Sequence, residues 1–199
     1  MARVGAGVQL RNLSRLPRRL ADRRHRLASL LAGWAYTGGP WPIAYTPLGE
    51  LFVVLFFGLA AVGGSYYLQT LSISPAALLA GAMLGLFAAA VITVNNYRDL
   101  ETDARAGRRT LAVVVGRRGT QWVYAAGTAA AACCSCRAGA ADAGRGLWLA
   151  LPLLVLLPAL RLLQRFRREP AGPLFNELLA STARLQFVYA LLLALAMVV

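Results

Sequence analysis

Five runs of this chain are apolar over lengths near the roughly 20 residues of helix that a bilayer core requires. They lie at Leu51–Leu71, Ala76–Asn95, Gln121–Cys136, Leu147–Leu163 and Arg184–Val199. A hydrocarbon interior offers no partner to a backbone N–H or C=O. A segment that crosses it therefore closes those bonds within a helix or around a sealed barrel. None of the five runs alternates as a barrel strand does, so each is expected as a helix. Pro75 follows a short uncharged stretch and suits the first turn of a helix, which predicts a helical hairpin from the first two runs. Charged residues make up only 15% of the chain and hydrophobic ones 58%, too polar-poor a balance for a soluble domain of 199 residues. The expected fold class is all-α: a multi-span transmembrane helical bundle of about five full spans, with a partial one at Leu27–Tyr36.

All 21 basic residues are Arg, and the net charge is +13. Their distribution orients the spans. Arg98, Arg105, Arg108, Arg109, Arg117 and Arg118 follow the second run, and Arg161, Arg165, Arg167 and Arg168 follow the fourth. The Leu71–Pro75 turn has none, and the loop after the third run has only Arg137 and Arg145 against Asp142. Placing the two arginine-dense loops in the cytoplasm satisfies every connection and puts the C-terminus outside a multi-pass cell-membrane protein. No basic face interleaved with aromatics accompanies the charge, so nucleic acid is not an expected partner. Residues 1–26 form a basic N-terminal segment, expected to be foreign to the membrane domain over 27–199. Cys133 and Cys136 have CxxC spacing but no second pair, and His25 is the only histidine. One half-site cannot close a tetrahedral zinc shell, so these cysteines are expected as small helix-packing residues.

The second run ends in "VNNYRDLETDARAGRRTLAVVVG", residues 94–116, where three of the chain's eight acids, Asp99, Glu101 and Asp103, fall together. Asp99 and Asp103 are four apart, so on a continuing helix their carboxylates share a face one turn apart. Two such carboxylates repel unless a cation lies between them or nearby. Hard oxygen donors suit magnesium, which keeps several waters and favours sites shared with substrate phosphates. Asn95, Asn96, Arg98, Arg108 and Arg109 supply donors for phosphate oxygens, the arginines as planar forks. The plain alternative is that Asp99 and Asp103 pair with Arg98, Arg105 or Arg108 on a solvated loop. Position favours function, because acids and amides at the edge of a membrane are expensive to keep there. Glu101 points elsewhere and reads as a solvated charge.

These residues resemble the second aspartate-rich motif of the UbiA-type intramembrane prenyltransferases, in the branch that prenylates 1,4-dihydroxy-2-naphthoate for menaquinone synthesis. Further matches are "YTGGPWPIAYTPLGELFVVLFFG" at 36–58, "SYYLQT" at 65–70 and "LLASTARLQFVYALLLAL" at 178–195, in the family's order. The resemblance implies a helical fold around a cavity open to lipid. In that fold two facing aspartate-rich motifs hold Mg2+ and a polyprenyl diphosphate. The allylic cation left by diphosphate departure is attacked by the acceptor ring, here 1,4-dihydroxy-2-naphthoate. Carried over, Asp99 and Asp103 are the metal-linked aspartates, Asn95, Asn96 and Arg98 the polar lead-in, and Arg108 stands where the family often has Lys. Tyr66 and Tyr67 fall in a span that lines the prenyl and acceptor pocket, with packing or interfacial aromatics as the alternative.

One departure is large: nothing here matches the family's first motif, of the NDxxDxxxD kind. The expectation is therefore an incomplete prenyltransferase domain, inactive alone, unless a partner chain or a homo-oligomer supplies the rest. A CDP-alcohol phosphotransferase is set aside because no Asp-Gly precedes Asp99 at the required spacing. A small transporter or assembly subunit would need polar residues recurring in several spans, whereas here they gather at one boundary. A non-catalytic membrane fragment remains open.

Overall fold

The computed structural model describes residues 23–141, 151–168 and 174–198, where seven helices and no strand are found. Helix α1 covers 23–37. A loop with a 3-10 turn at Ile43–Tyr45 leads to α2, Gly49–Thr70. Next come α3, Pro75–Arg98, the short α4, Leu100–Arg105, and α5, Leu111–Ala141. A 3-10 turn at Leu151–Val155 precedes α6, Leu156–Arg168, and α7 is Leu174–Val198. Of these, α2, α3 and the Phe175–Met197 part of α7 are long and apolar enough to cross a membrane.

The expected hairpin forms where Pro75 placed it. Leu71 closes α2 in the left-handed conformation at φ 55°, its N–H bonding back to the Tyr67 carbonyl. Ser74 then caps α3, its side-chain oxygen accepting from the Ala77 N–H, with Pro75 in the first turn. The two helices cross at glycines. A Cβ added at Gly58 would lie 2.5 Å from the Gly81 carbonyl oxygen and 2.8 Å from the Gly85 Cα. Only hydrogen at that position lets the backbones approach so closely. Around it, Val54–Ala60 widens into π-helical turns.

Helix α3 is the centre of the bundle. In its apolar window 56% of residues are buried, against 11% for α2 and 28% for α7. The core runs along it through Met83, Phe87, Ala90, Val94 and Tyr97 to Tyr124 of α5, Phe166 of α6 and Phe175, Leu178 and Tyr189 of α7. Burial of Tyr124 and Tyr189 is matched by partners for their hydroxyls: Thr182 at 3.3 Å and Ser135 at 2.7 Å. Leu27, Leu30, Leu31 and Trp34 of α1 stay exposed, as apolar side chains can against lipid.

Three expected spans have different bounds. The run expected from Gln121 belongs to the longer of two helical segments within Leu111–Ala141, which meet at Gly116, whose φ of 69° and ψ of −178° interrupt the helix. The longer segment takes in Arg117 and Arg118, whose charge lowered the apparent hydropathy there without preventing helix formation. Residues 147–150 of the fourth run, Arg145 and Asp142 lie outside the described residues, as do residues 1–22 of the basic segment. What is described of the fourth run continues past Leu163 into an amphipathic helix. It buries Ala159, Leu162 and Phe166, and it carries the four arginines expected in the following loop. Arg184 lies inside α7 rather than at its start, because Asn176, Glu177 and Ser181 are polar yet helical. Cys133 and Cys134 are free thiols on α5.

Candidate active site at the C-terminal end of the third helix

The acid-rich stretch does not continue α3 unbroken. The helix ends at Arg98, and Asp99, at φ −93° and ψ 6°, joins it to α4. Helical bonds nevertheless span the joint: the Asp99 N–H bonds to the Asn95 carbonyl at 3.1 Å and the Asp103 N–H to the Asp99 carbonyl at 2.8 Å. The two aspartates therefore stay one turn apart across a bend.

Each is paired with an arginine. Arg98 donates through Nε to Asp99 Oδ1 at 2.8 Å and through Nη2 to Oδ2 at 2.7 Å, a bidentate fork. The same guanidinium reaches the Asn95 side-chain carbonyl at 3.0 Å and that of Asn176, at the start of α7, at 2.9 Å. Asp103 is buried, and Arg108 donates to its Oδ1 at 3.0 Å. Arg108 also stacks on the Tyr45 ring, 4.2 Å from its centroid, while the Arg109 N–H bonds to the Tyr45 carbonyl at 3.0 Å. The 43–50 segment is thus tied onto the α4–α5 loop. Glu101 is exposed and pairs with Arg117 at 2.6 Å, as a solvated charge would. The Arg117 guanidinium also lies over the Tyr97 ring, 5.6 Å from its centroid.

Asn95, Arg98 and Asp99 form one cluster and Asp103 and Arg108 a second, joined through the backbone bond from Asp103 to Asp99, and Arg109 borders the second. Asn96 turns the other way and donates to Glu50 Oε1 at 2.9 Å. Tyr66 and Tyr67 are not gathered with the acid–arginine pairs. They are half-exposed near the other end of α2, roughly 25 Å from its start by helical rise. Tyr67 lines a shallow groove there with Gly63, Ile73 and Leu78. Three residues escaped sequence reasoning. Glu50 is a buried acid opening an apolar run, a signal that was present. Tyr45 and Asn176 carried none, since what they touch is distant in sequence.

Among the described residues no three His, Cys, Asp or Glu side chains gather as a metal cluster. A metal here would rest on Asp99 and Asp103, with its other positions left to water and substrate oxygens. That donor set fits magnesium, which needs few protein ligands.

A membrane-edge site of paired aspartates and forked arginines is the setting in which sequence relatives become informative. The family model described as "UbiA prenyltransferase family" matches residues 26–181. The chain belongs to the UbiA prenyltransferase family. Within that family it is 33% identical to the 1,4-dihydroxy-2-naphthoate octaprenyltransferase of Mycobacterium leprae, over 84% of this chain and 56% of that protein. It is 44% identical to the enzyme of the same name from Haemophilus influenzae, over 55% of this chain and 35% of that protein. It is also 32% identical to UbiA prenyltransferase domain-containing protein 1 of Mus musculus, over 81% of this chain and 46% of that protein. The chain thus spans between about a third and just over half of the UbiA relatives it matches. No solved structure matches it.

Proposed function

We propose that this chain carries the diphosphate-holding part of a membrane prenyltransferase that moves a polyprenyl group onto 1,4-dihydroxy-2-naphthoate, in menaquinone synthesis. The observation that carries the reading is the doubled acid–arginine arrangement at the end of the central helix, Arg98 with Asp99 and Arg108 with Asp103. Each pair is neutral by itself. With a diphosphate and a divalent cation bound, Arg98 and Arg108 would face phosphate oxygens and Asp99 and Asp103 the cation, so that most of the diphosphate's negative charge would be offset at the membrane edge. Magnesium, when bound, neutralises charge on the leaving diphosphate.

The chain's own residues do the rest. Arg98 and Arg108 orient the diphosphate as forks, and Asn95 and Asn176 hold Arg98 in place. The Tyr97, Phe166 and Phe175 rings pack behind the motif, with centroids 4.7 and 4.9 Å from Tyr97. They keep that end of α3 rigid and water away from its inner side. The arginine-rich stretches support a cytoplasmic face for the motif, with the C-terminus outside.

A non-catalytic membrane subunit is the competing reading, and the pairing of both aspartates supports it. The experiment that separates them measures binding of radiolabelled polyprenyl diphosphate, with and without magnesium, and transfer to dihydroxynaphthoate. Asp99→Ala and Asp103→Ala should abolish both. Unchanged diphosphate binding in both variants, with lowered stability, would support the non-catalytic subunit.

A further inference from the structure

Two buried side-chain oxygens have no hydrogen-bond partner among the described residues, Glu50 Oε2 and Thr110 Oγ1. Glu50 is the more demanding of the two. It is 5% exposed, and its Oε1 is fixed by the Asn96 amide at 2.9 Å, which holds the carboxylate in one orientation and leaves Oε2 waiting for a donor. A buried carboxylate oxygen left unpaired is costly, so its retention points to a donor that arrives from outside the chain.

Position says what that donor belongs to. Asn96 lies within one turn of Asp99 on the same helix, and Glu50 follows Tyr45, whose ring and carbonyl hold Arg108 and Arg109. Glu50 therefore sits at the same end of α3 as the acid–arginine pairs, reached through Asn96. A cleft of about 390 Å³ opens beside it between α2, α3 and α5, lined by Val54, Leu86, Thr93, Ala126 and Ala130. The Thr93 hydroxyl spends its proton on the Ala89 carbonyl, which leaves Glu50 as the one charged side chain lining the cleft. A small-walled apolar cleft with one acceptor at its rim fits a flat aromatic ring bearing a hydroxyl.

We infer that Glu50, held by Asn96, receives a hydroxyl of the aromatic acceptor and positions its ring against the diphosphate-bearing carbon. The inference rests on the prenyl-transfer reading for the identity of its ligand. Glu50 is a positioning residue for the acceptor and not for the diphosphate. Glu50→Gln keeps shape and the bond from Asn96, but it turns an N–H toward the ligand in place of an acceptor.

The test compares binding of 1,4-dihydroxy-2-naphthoate and its dimethoxy analogue to the full chain in lipid nanodiscs, with labelled prenyl diphosphate binding measured in the same preparation. The wild-type chain should prefer the dihydroxy compound by about 10- to 100-fold. Glu50→Gln should lose that preference while binding prenyl diphosphate normally. Glu50→Leu, checked for native helix content by circular dichroism, should behave likewise. A purely structural role would weaken both naphthalenes together and leave their ratio intact, which would overturn the inference. Equal binding of the two by the wild-type chain, or binding of neither, would overturn it as well. In either case the prenyl diphosphate measurement stands separately and decides whether the prenyl-transfer reading falls with it.

Discussion

The two ends of α3 solve the same problem in opposite ways. At its N-terminal end, the turn from α2 contains no charge. It is closed by Leu71 in the left-handed conformation, the Ser74 cap and a hydroxyl bond between Thr70 and Ser72. At its C-terminal end, where ordinary capping would have sufficed, Asn96 reaches Glu50 on α2 and Arg98 reaches Asn176 on α7, and one turn on, Asp103 of α4 takes Arg108 of the α4–α5 loop. Local bonds are enough to end a helix in a membrane protein. Ties from one helix end to two other helices are more than termination requires, and that excess is the physical basis for placing function there.

The contrast can be broken from the functional side first. Replacing Asp103 with Ala should lower diphosphate binding and transfer by about 100-fold or more, since it removes a buried carboxylate and releases Arg108. Filter binding with labelled prenyl diphosphate would check this. Chelation of magnesium should give a loss of similar size in the wild-type chain and no further loss in Asp99→Ala. Arg98→Lys should be milder, roughly 10-fold, because a point charge cannot bridge Asp99, Asn95 and Asn176 at once. The packing side is smaller in energy. Gly58→Ala forces a methyl against the Gly81 carbonyl and should cost about 1–3 kcal/mol in detergent unfolding, with diphosphate affinity per folded molecule unchanged. Smallest of all, Ser74→Ala removes the cap at the quiet end and should cost about 1 kcal/mol with no effect on binding.

Sequence alone revealed the parts governed by local rules. The hairpin followed from two apolar runs and Pro75, and the acid-rich site from the spacing of Asp99 and Asp103. What it could not show was carried by distant pairs. Glu50 meets Asn96 across 46 residues, and Arg98 meets Asn176 across 78. Neither separation leaves a pattern in a hydropathy window. The bend at Asp99 was hidden for a related reason: helical bonds cross it, so the residues on either side look like one helix. Tyr66 and Tyr67, assigned to the prenyl and acceptor pocket by resemblance alone, stand at the far turn of α2 from the acid–arginine pairs.

If the C-terminal end of α3 holds a diphosphate and the N-terminal end does not, the two ends should part in one experiment. The most direct measurement is binding of radiolabelled polyprenyl diphosphate to the full chain in nanodiscs, titrated with magnesium, for the wild type, Asp99→Ala with Asp103→Ala, and Ser74→Ala. Binding should depend on magnesium in the wild type and Ser74→Ala, and should be lost in the double aspartate variant. Binding that is indifferent to magnesium and to both aspartates would rule out a diphosphate site at this end of the helix.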